Sequence, residues 1–283
     1  MRTIIITLCA LLLMAIPVKA EEMVLYDNFN SFLIEPTKWH GLQFQQTYDL
    51  VREIVREIKG RKLRMAIVGH SDIEAGDTGN KWATNCLRPT YEVAEKITAL
   101  RARMRVNHFW VMDCDSNPNT NWSHARARMG GIFFHGGNLA DSEDPWDFTG
   151  DVMADILIRK QIDDSGPSRS LLEVVPRVFE CFDYNCDNVE FLEPTNEPVR
   201  TIRRGQPITL GVECDESRDG FIFQYGRQKD FVSYAGTYNP NPEDFFPSTL
   251  LKFLRVQVIM PNCTSPPRPM YLMDASFDNV YVN

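Results

Sequence analysis

Beyond its first 20 residues, the chain lacks an apolar run of the roughly 20 residues that a transmembrane helix needs. It also lacks a basic excess, since 30 Lys and Arg residues stand against 38 Asp and Glu, a net charge of −8. A nucleic-acid partner requires a basic surface that neutralises phosphates, so the composition argues against one. The acidic balance is compatible with neutral sugars or divalent cations as ligands.

Sequence motifs of several enzyme classes are missing as well. The chain has no Gly-x-Ser-x-Gly nucleophile elbow, no glycine-rich phosphate loop and no histidine pair at helical i, i+4 spacing. Cysteine or histidine pairs at the short spacing that zinc sites use do not occur either. No residue is therefore assigned a catalytic role, and a non-enzymatic function is favoured.

Residues 1–20 are predicted to be a signal peptide. Arg2 supplies a positive charge, residues 4–18 are apolar, and Val18-Lys19-Ala20 provides compact residues before a cleavage site. Cleavage removes two of the 30 basic residues and no acidic one, which moves the net charge from −8 to −10. We expect an exported protein, periplasmic or extracellular, without a transmembrane segment. No Ser/Gly-rich linker divides residues 21–283, which are predicted to form a single domain.

Six cysteines follow the predicted leader, and an even count in an oxidising compartment suggests up to three disulfides. Only Cys181 and Cys186 have local support, because the turn-rich segment between them lies between two strand-like runs. The remaining cysteines are expected to pair across longer loops: Cys86, Cys114, Cys214 and Cys263.

Alternation of apolar and polar residues is common and indicates strands. Within residues 97–106 it places even-numbered apolar residues such as Ala102 and Met104 on one face and three arginines on the other, solvated face. Residues 50–58 and 62–68 predict a hairpin that turns at Gly60. Further strands are predicted over 125–134, 152–159, 171–181, 207–214, 221–225 and 251–260. Many short strands separated by turn residues favour a sandwich or a barrel.

The two ends of the mature chain carry related patterns. Near the start stands Asp27-x-Phe29, followed by Pro36-x-Lys38-Trp39, and the chain ends on Asp278-x-Val280-x-Val282. Together these ends resemble the first and last strands of the concanavalin A-like (laminin-G, glucanase) jelly-roll superfamily of exported, bacterial-type proteins. The resemblance implies an all-β fold, a two-sheet antiparallel jelly-roll sandwich with long loops, whose terminal strands pair in one sheet.

Two expectations follow for the terminal strands. Phe29 and Val280 should lie in the core, and Phe277, Asn279 and Tyr281 should then face away from Val280 because side chains alternate along a strand. By the same resemblance, a structural calcium ion near these strands would use Asp27 and Asp278. Acidic loop segments at 72–77 and 141–144 also cluster the oxygen ligands that calcium requires, although neither has an EF-hand spacing.

Catalytic motifs of jelly-roll enzymes are incomplete in this chain. Retaining glycosidases of this shape place two carboxyls on one strand as Glu-x-Asp-x-x-Glu. The nearest segment here begins at Glu213 and has Arg218 where the second glutamate belongs, and it runs into a predicted Asp-Gly turn. Residues 233–239 loosely resemble one alginate-lyase element, but Gln257-Val-Ile lacks the histidine of another.

Binding has better support, because sugars stack on aromatic rings and are oriented by a few amides and carboxylates. Three tryptophans fall in long polar segments, at 70–89, 115–123 and 136–151. The predicted ligand-binding residues are Trp82, Trp122, Trp146, Asn121 and Asp144. The alternative for each tryptophan is that it packs its own loop onto the core. Trp39 and Trp110 occupy strand-like contexts and are expected in the core.

The favoured function is that of an exported non-catalytic binding protein whose partner is a poly- or oligosaccharide. Two alternatives stay open. The first is a polysaccharide-degrading hydrolase or lyase with a non-standard site. The second is a structural or adhesive envelope protein without a small ligand.

Overall fold

A computed structural model describes residues 22–41, 51–70, 81–90, 97–112, 123–136, 147–161, 171–184, 186, 188–238, 251–260 and 270–283. Within these ranges no helix is long and apolar enough to cross a membrane. Residues 1–21 lie outside them, so the signal peptide and export stay predictions.

Sixteen strands make up the described structure. In chain order they are β1 (Val24–Asp27), β2 (Trp39–Gly41), β3 (Val51–Ile58), β4 (Leu63–His70), β5 (Lys81–Pro89), β6 (Ala99–Trp110), β7 (His124–His135), β8 (Asp151–Gln161), β9 (Leu171–Cys181), β10 (Val189–Phe191), β11 (Arg200–Arg203), β12 (Ile208–Asp215), β13 (Gly220–Tyr225), β14 (Gln228–Ser233), β15 (Lys252–Met260) and β16 (Met270–Val282).

The strands form two eight-stranded antiparallel sheets, which confirms the predicted all-β sandwich. Sheet A runs β14-β13-β12-β6-β16-β4-β3, with β1 added on β16. Sheet B runs β10-β9-β8-β7-β15-β5-β2, with β11 added on β9. The main core lies between the sheets, where side chains such as Ala102 and Phe277 of sheet A share one cluster with Ala127 and Val256 of sheet B. The strands predicted from alternation are all present, with ends shifted by a few residues.

The hairpin predicted at Gly60 joins β3 to β4. Gly60 and Arg61 both have left-handed backbone angles, φ 60° and 58°, and the Lys59 amide donates to the Lys62 carbonyl at 2.9 Å. Two positive φ values in a two-residue loop are typical of a type I′ turn, whose twist matches that of the flanking strands.

Strand β6 has the predicted faces over its first half. Ala102, Met104 and Val106 are buried in the core, while Arg103 and Arg105 are exposed. The prediction for Trp110 was wrong, because this side chain is 46% exposed. The pairing of β6 with β16 shifts register between Val106 and His108, so Phe109 rather than Trp110 packs against the core.

The terminal strands pair as predicted, with Val24 opposite Val282 and Asp27 opposite Val280. Phe29 and Val280 are both buried in the core. The prediction that Phe277 faces away from Val280 was wrong, because both side chains belong to the same core cluster. A bulge between Asp278 and Tyr281, at which Asn279 has φ 49°, inserts a residue and reverses the alternation. Asn279 and Tyr281 are only partly buried, as expected.

The disulfide predicted between Cys181 and Cys186 is present. The expectation that Cys86 and Cys214 also form disulfides was wrong, since both are free and buried. They occupy separate apolar clusters, Cys214 in the main core between the sheets and Cys86 in a smaller cluster on sheet B. Cys114 and Cys263 lie outside the described residues.

Strand β5 was not predicted. Residues 81–89 were assigned to a long polar loop, yet they pair with both β15 and β2. The reason is that a buried asparagine interrupts the apolar alternation. Asn85, 0% exposed, faces the main core, where its amide donates to the Val55 and Ala66 carbonyls of sheet A and its oxygen accepts from Arg56. Of the other two predicted loops, at 115–123 and 136–151, residues 115–122 and 137–146 lie outside the described residues.

Candidate functional site

Sheet B has a polar outer face, directed away from the main core. Along β7 the odd-numbered Ala125, Ala127 and Met129 belong to the main core, so the intervening Arg126 and Arg128 point outward. The same alternation on the neighbouring strands brings further polar side chains to this face. We call the resulting set the arginine cluster: Arg126, Arg128, Arg159, Arg177, Arg255, Asp155, Glu173 and Gln257.

One row of the arginine cluster crosses five strands. Glu173 of β9 is opposite Arg159 of β8, which is opposite Arg126 of β7. Arg126 is in turn opposite Gln257 of β15, and Gln257 is opposite Thr84 of β5. Directly opposite residues on antiparallel strands lie close enough for side-chain contact. Accordingly, Arg159 Nε donates to Glu173 Oε2 at 2.9 Å and Arg126 Nε donates to Gln257 Oε1 at 2.7 Å.

Asp155 holds the next part of the cluster together. Asp155 is 0% exposed. Its carboxylate accepts two hydrogen bonds from Arg177, at 2.8 and 2.6 Å. One of its oxygens also lies 2.5 Å from Arg128 Nη2. Burial alone would raise the pKa of Asp155, but the adjacent Arg128 and Arg177 guanidinium groups hold this pKa below its usual value. Asp155 is therefore a fixed anion that orients two arginines, and it is unsuited to act as a general acid.

A glycine and a phenylalanine lie next to the charged groups of the arginine cluster. Gly130 lies opposite Asp155, and a Cβ atom there would stand 2.2 Å from the Ala154 carbonyl oxygen, so a larger residue would displace β8. Phe253 lies beneath two guanidinium groups, with Arg128 at 4.7 Å and Arg255 at 4.3 Å from its ring centroid. Cations placed over an aromatic face are stabilised by its quadrupole.

Arg126 and Arg255 differ from the other three arginines, because no carboxylate among the described residues pairs with them. Arg126 bonds to the neutral Gln257, and Arg255 stacks on Phe253. The buried Nε atoms of Arg128 and Arg255 donate no hydrogen bond within the described structure. Burial, together with the nearby charges of Arg177 and Arg128, lowers the pKa of Arg126 well below its usual value. The cluster therefore concentrates positive charge in a largely desolvated place.

Trp82 borders the arginine cluster, although it was predicted to lie in a loop. It belongs to β5, where alternation with the core residue Ala83 directs it to the outer face of sheet B. Trp82 is opposite Ile259 and two residues from Thr84, whose buried hydroxyl has no hydrogen-bond partner within the described structure. Its side chain is partly exposed. The other predicted ligand-binding residues, Trp122, Trp146, Asn121 and Asp144, lie outside the described residues.

Asp27, predicted as a calcium ligand, bridges the two sheets. Its Oδ1 accepts from the Phe29 amide and its Oδ2 from Trp39 Nε1, both at 2.7 Å. Asp278 is partly buried on β16, opposite Arg103. Among the described residues, no group of three or more His, Cys, Asp or Glu side chains is placed to hold a metal ion. Calcium at Asp27 and Asp278 stays a prediction.

The incomplete catalytic motifs have structural roles here. Asp215 accepts hydrogen bonds from Ser217 and Arg218 in the short 3₁₀ turn 216–218 between β12 and β13, which supports the interpretation of this segment as a turn. Tyr234 and Tyr238, the aromatic residues of the alginate-lyase-like segment, pack in the main core around Phe134.

Sequence reasoning missed the arginine cluster. Its signal was present in β7, where Arg126 and Arg128 alternate with small residues as the arginines of β6 do. Both patterns predict one polar face of a strand. Only the strand order shows that β7 lies in the middle of sheet B, where charged residues from β8, β9 and β15 surround this face.

No family model matches the chain, and no curated protein matches it. Among solved structures, it is similar to a β-1,3-glucanase from Mycobacterium marinum, with 12% identity, a TM-score of 0.40 and coverage of 91% of this chain and 97% of that one. It is also similar to the catalytic domain of an endo-1,3-β-glucanase from Thermotoga petrophila, with 12% identity, a TM-score of 0.39 and coverage of 93% and 99%.

A Family 7 alginate lyase shares 8% identity with a TM-score of 0.38, over 87% of this chain and 94% of that one. The structure confirms the predicted two-sheet antiparallel sandwich and the pairing of its terminal strands.

Proposed function

We propose that this chain is a non-catalytic saccharide-binding protein that holds its ligand on the outer face of sheet B. The observation that carries the proposal is the continuous row from Arg159 through Arg126 and Gln257 to Thr84, with Trp82 beside its end. Trp82 and Arg159, at the two ends of this row, are partly exposed, whereas Arg126, Gln257 and Thr84 between them are buried. An indole beside polar side chains is the combination that saccharide sites use, because the ring stacks on C–H groups and polar groups orient the hydroxyls.

Two observations support the non-catalytic form of the proposal. Asp155 is committed to two arginines, and Glu173 is paired with Arg159. Neither carboxyl is therefore free to work as one of the two carboxyls, about 5 Å apart, that retaining glycosidases use.

The disulfide between Cys181 and Cys186 supports export, since such bonds persist in oxidising compartments.

A glycan array followed by calorimetry tests the proposal. We expect at least one oligosaccharide to bind, and Trp82→Ala to weaken its binding by about 1–3 kcal/mol, the range for a central aromatic contact. Trp110→Ala is the matched control, because Trp110 is an exposed tryptophan on sheet A. Its loss should leave binding unchanged.

The same samples distinguish the alternatives. Release of reducing ends or of unsaturated sugars from a bound polysaccharide would show a hydrolase or a lyase. Absence of binding to every saccharide, with both tryptophan variants folded, would leave the structural or adhesive function. Equal effects of the two tryptophan substitutions would contradict the position of the site.

A further inference from the structure

The arginine cluster is positively charged although the protein is acidic. Among the described residues, five guanidinium groups from four adjacent strands share the outer face of sheet B with two carboxylates, those of Asp155 and Glu173. Over the whole chain, acidic residues outnumber basic ones and the net charge is −8. The charge excess among the described residues of this face is therefore opposite in sign to the net charge of the chain.

The two carboxylates form ion pairs with three of the five arginines. Asp155 lies 2.5 Å from Arg128 and 2.6 Å from Arg177, and Glu173 lies 2.9 Å from Arg159. Within the described residues Arg126 and Arg255 form no ion pair: Arg126 bonds to the neutral Gln257, and Arg255 stacks on Phe253. Both positions are in the middle of the sheet, on the adjacent strands β7 and β15.

A largely buried cation without a counter-charge is costly, and a bound anion offsets that cost. Arg126 is 9% exposed, and repulsion from Arg177 and Arg128 adds to the cost of its burial, which the charge of Asp155 offsets only in part. The Nε atoms of Arg128 and Arg255 are buried donors without an acceptor in the described structure. Arginine groups bind carboxylate or sulfate oxygens through two parallel N–H bonds, which would satisfy donors of this kind.

We infer that the saccharide bound on this face is acidic, carrying carboxylate or sulfate groups, and that Arg126 and Arg255 receive those groups. This inference rests on the proposed function. The partly exposed side chains of Arg255, Arg159 and Trp82 mark where the cluster meets solvent. A sugar stacked on Trp82 would lie next to Gln257 and Arg126 in the row, which are 6% and 9% exposed, and the partly exposed Arg255 would meet its anionic group from the neighbouring row.

Calorimetry of the full chain with three oligosaccharides of equal length tests the inference: a neutral β-glucan, a polyuronate and a sulfated glycan. We expect at least one acidic saccharide to bind at least about tenfold more tightly than the neutral one and to lose affinity as sodium chloride is raised, because charge-assisted contacts are screened. Arg126→Gln and Arg255→Gln should each reduce this preference.

Two controls keep the outcome interpretable. Arg103→Gln removes an exposed arginine from sheet A and should leave the preference unchanged. Thermal melts show whether each variant is folded, and the selectivity of the unmodified protein needs no variant at all. Equal, salt-insensitive affinity for neutral and acidic saccharides would overturn the inference and leave the proposed function standing.

Other outcomes overturn it for different reasons. Binding of no saccharide would sink the proposed function and this inference together. If free sulfate or phosphate displaced the acidic saccharide at equal molar concentration, the cluster would be a simple anion site and the inference would be wrong. Preferential binding of single-stranded nucleic acid over every acidic saccharide would also refute it, since phosphate would then be the recognised group.

Discussion

Lys252 places an ammonium group inside the sandwich. The side chain is 1% exposed, its Nζ donates to the Ile132 carbonyl, and it lies 4.4 Å from the centroid of the Phe133 ring. Burial lowers the pKa of Lys252 to about 7, although the nearby Cys214 acts in the opposite direction. Removing a charge from water is unfavourable unless it is paired, and here one carbonyl and one ring replace the lost hydration.

The stability of the protein should therefore rise with pH over the alkaline range. Between about pH 7 and the usual lysine pKa of about 10.4, the unfolded chain binds a proton that the folded protein has released, so its free energy of unfolding increases with pH. Urea unfolding at several pH values should show a contribution of up to about 1.4 kcal/mol per pH unit from this residue. Lys252→Met should abolish that contribution and stabilise the protein near pH 7.

Lys160→Met provides the matched control, because Lys160 is a partly exposed lysine in the same sheet. Its pH profile should match that of the unmodified protein. If the profile of Lys252→Met were also unchanged, Lys252 would be charged in the folded protein throughout this range.

Strand β16 is a central strand of sheet A. It pairs with β1, β4 and β6, and its core side chains change from odd to even positions at the Asn279 bulge. Phe277 before the bulge and Val280 and Val282 after it thus all reach the core. An L-residue with positive φ is disfavoured, and asparagine tolerates this conformation better than most residues do.

Truncation after Ala275 should prevent folding. It removes three buried core side chains and leaves β1 without its partner strand. Loss of the buried apolar groups alone costs several kcal/mol, which is comparable to the whole stability of a typical domain. Circular dichroism during heating is the test, and a cooperative melt of the truncated chain would contradict the importance of this strand. The control is Asn279→Gly, which keeps the bulge and should melt close to the unmodified protein.

These elements also show how far the sequence predicts the fold. Strands with one apolar and one polar face, such as β6, were predicted because alternation depends only on neighbouring residues. The orientation of Phe277 and Trp110 could not be predicted, since each depends on a bulge formed with a partner strand. Strand β5 was missed because the core-facing Asn85 is satisfied by carbonyls of the opposite sheet, which no local pattern indicates.

For the whole molecule, the arginine cluster shows why a site is harder to predict than a strand. Arg126, Asp155, Arg177 and Arg255 are spread over 130 positions of the sequence and meet only because β7, β8, β9 and β15 are neighbours in sheet B. Trp82 was predicted as a ligand-binding residue for its assumed place in a loop, whereas the structure places it on a strand beside the cluster. The sequence shows the residue types of the arginine cluster, but only the strand order shows that they lie next to each other.

The two sheets are also joined by polar contacts at the start of the chain. Asp27 is the last residue of β1 in sheet A, and Trp39 is the first residue of β2 in sheet B. The hydrogen bond from Trp39 Nε1 to Asp27 Oδ2, at 2.7 Å, is buried, and the Trp39 ring stacks on Phe29 with centroids 5.7 Å apart. This contact fixes the N-terminal crossing between the sheets within the apolar core.

A double-mutant cycle measures the strength of this connection. Asp27→Ala and Trp39→Phe should each destabilise the protein, and their effects should be less than additive, with a coupling energy of about 1.5–3 kcal/mol, the range for a hydrogen bond to a charged group. Urea unfolding of the two single variants and the double variant provides the values. The same cycle with Asp278→Ala in place of Asp27→Ala is the control, because Asp278 lies on β16 opposite Arg103 of β6. Additive losses in the Asp27 cycle would mean that the aromatic packing of Trp39 joins the sheets and the carboxylate does not.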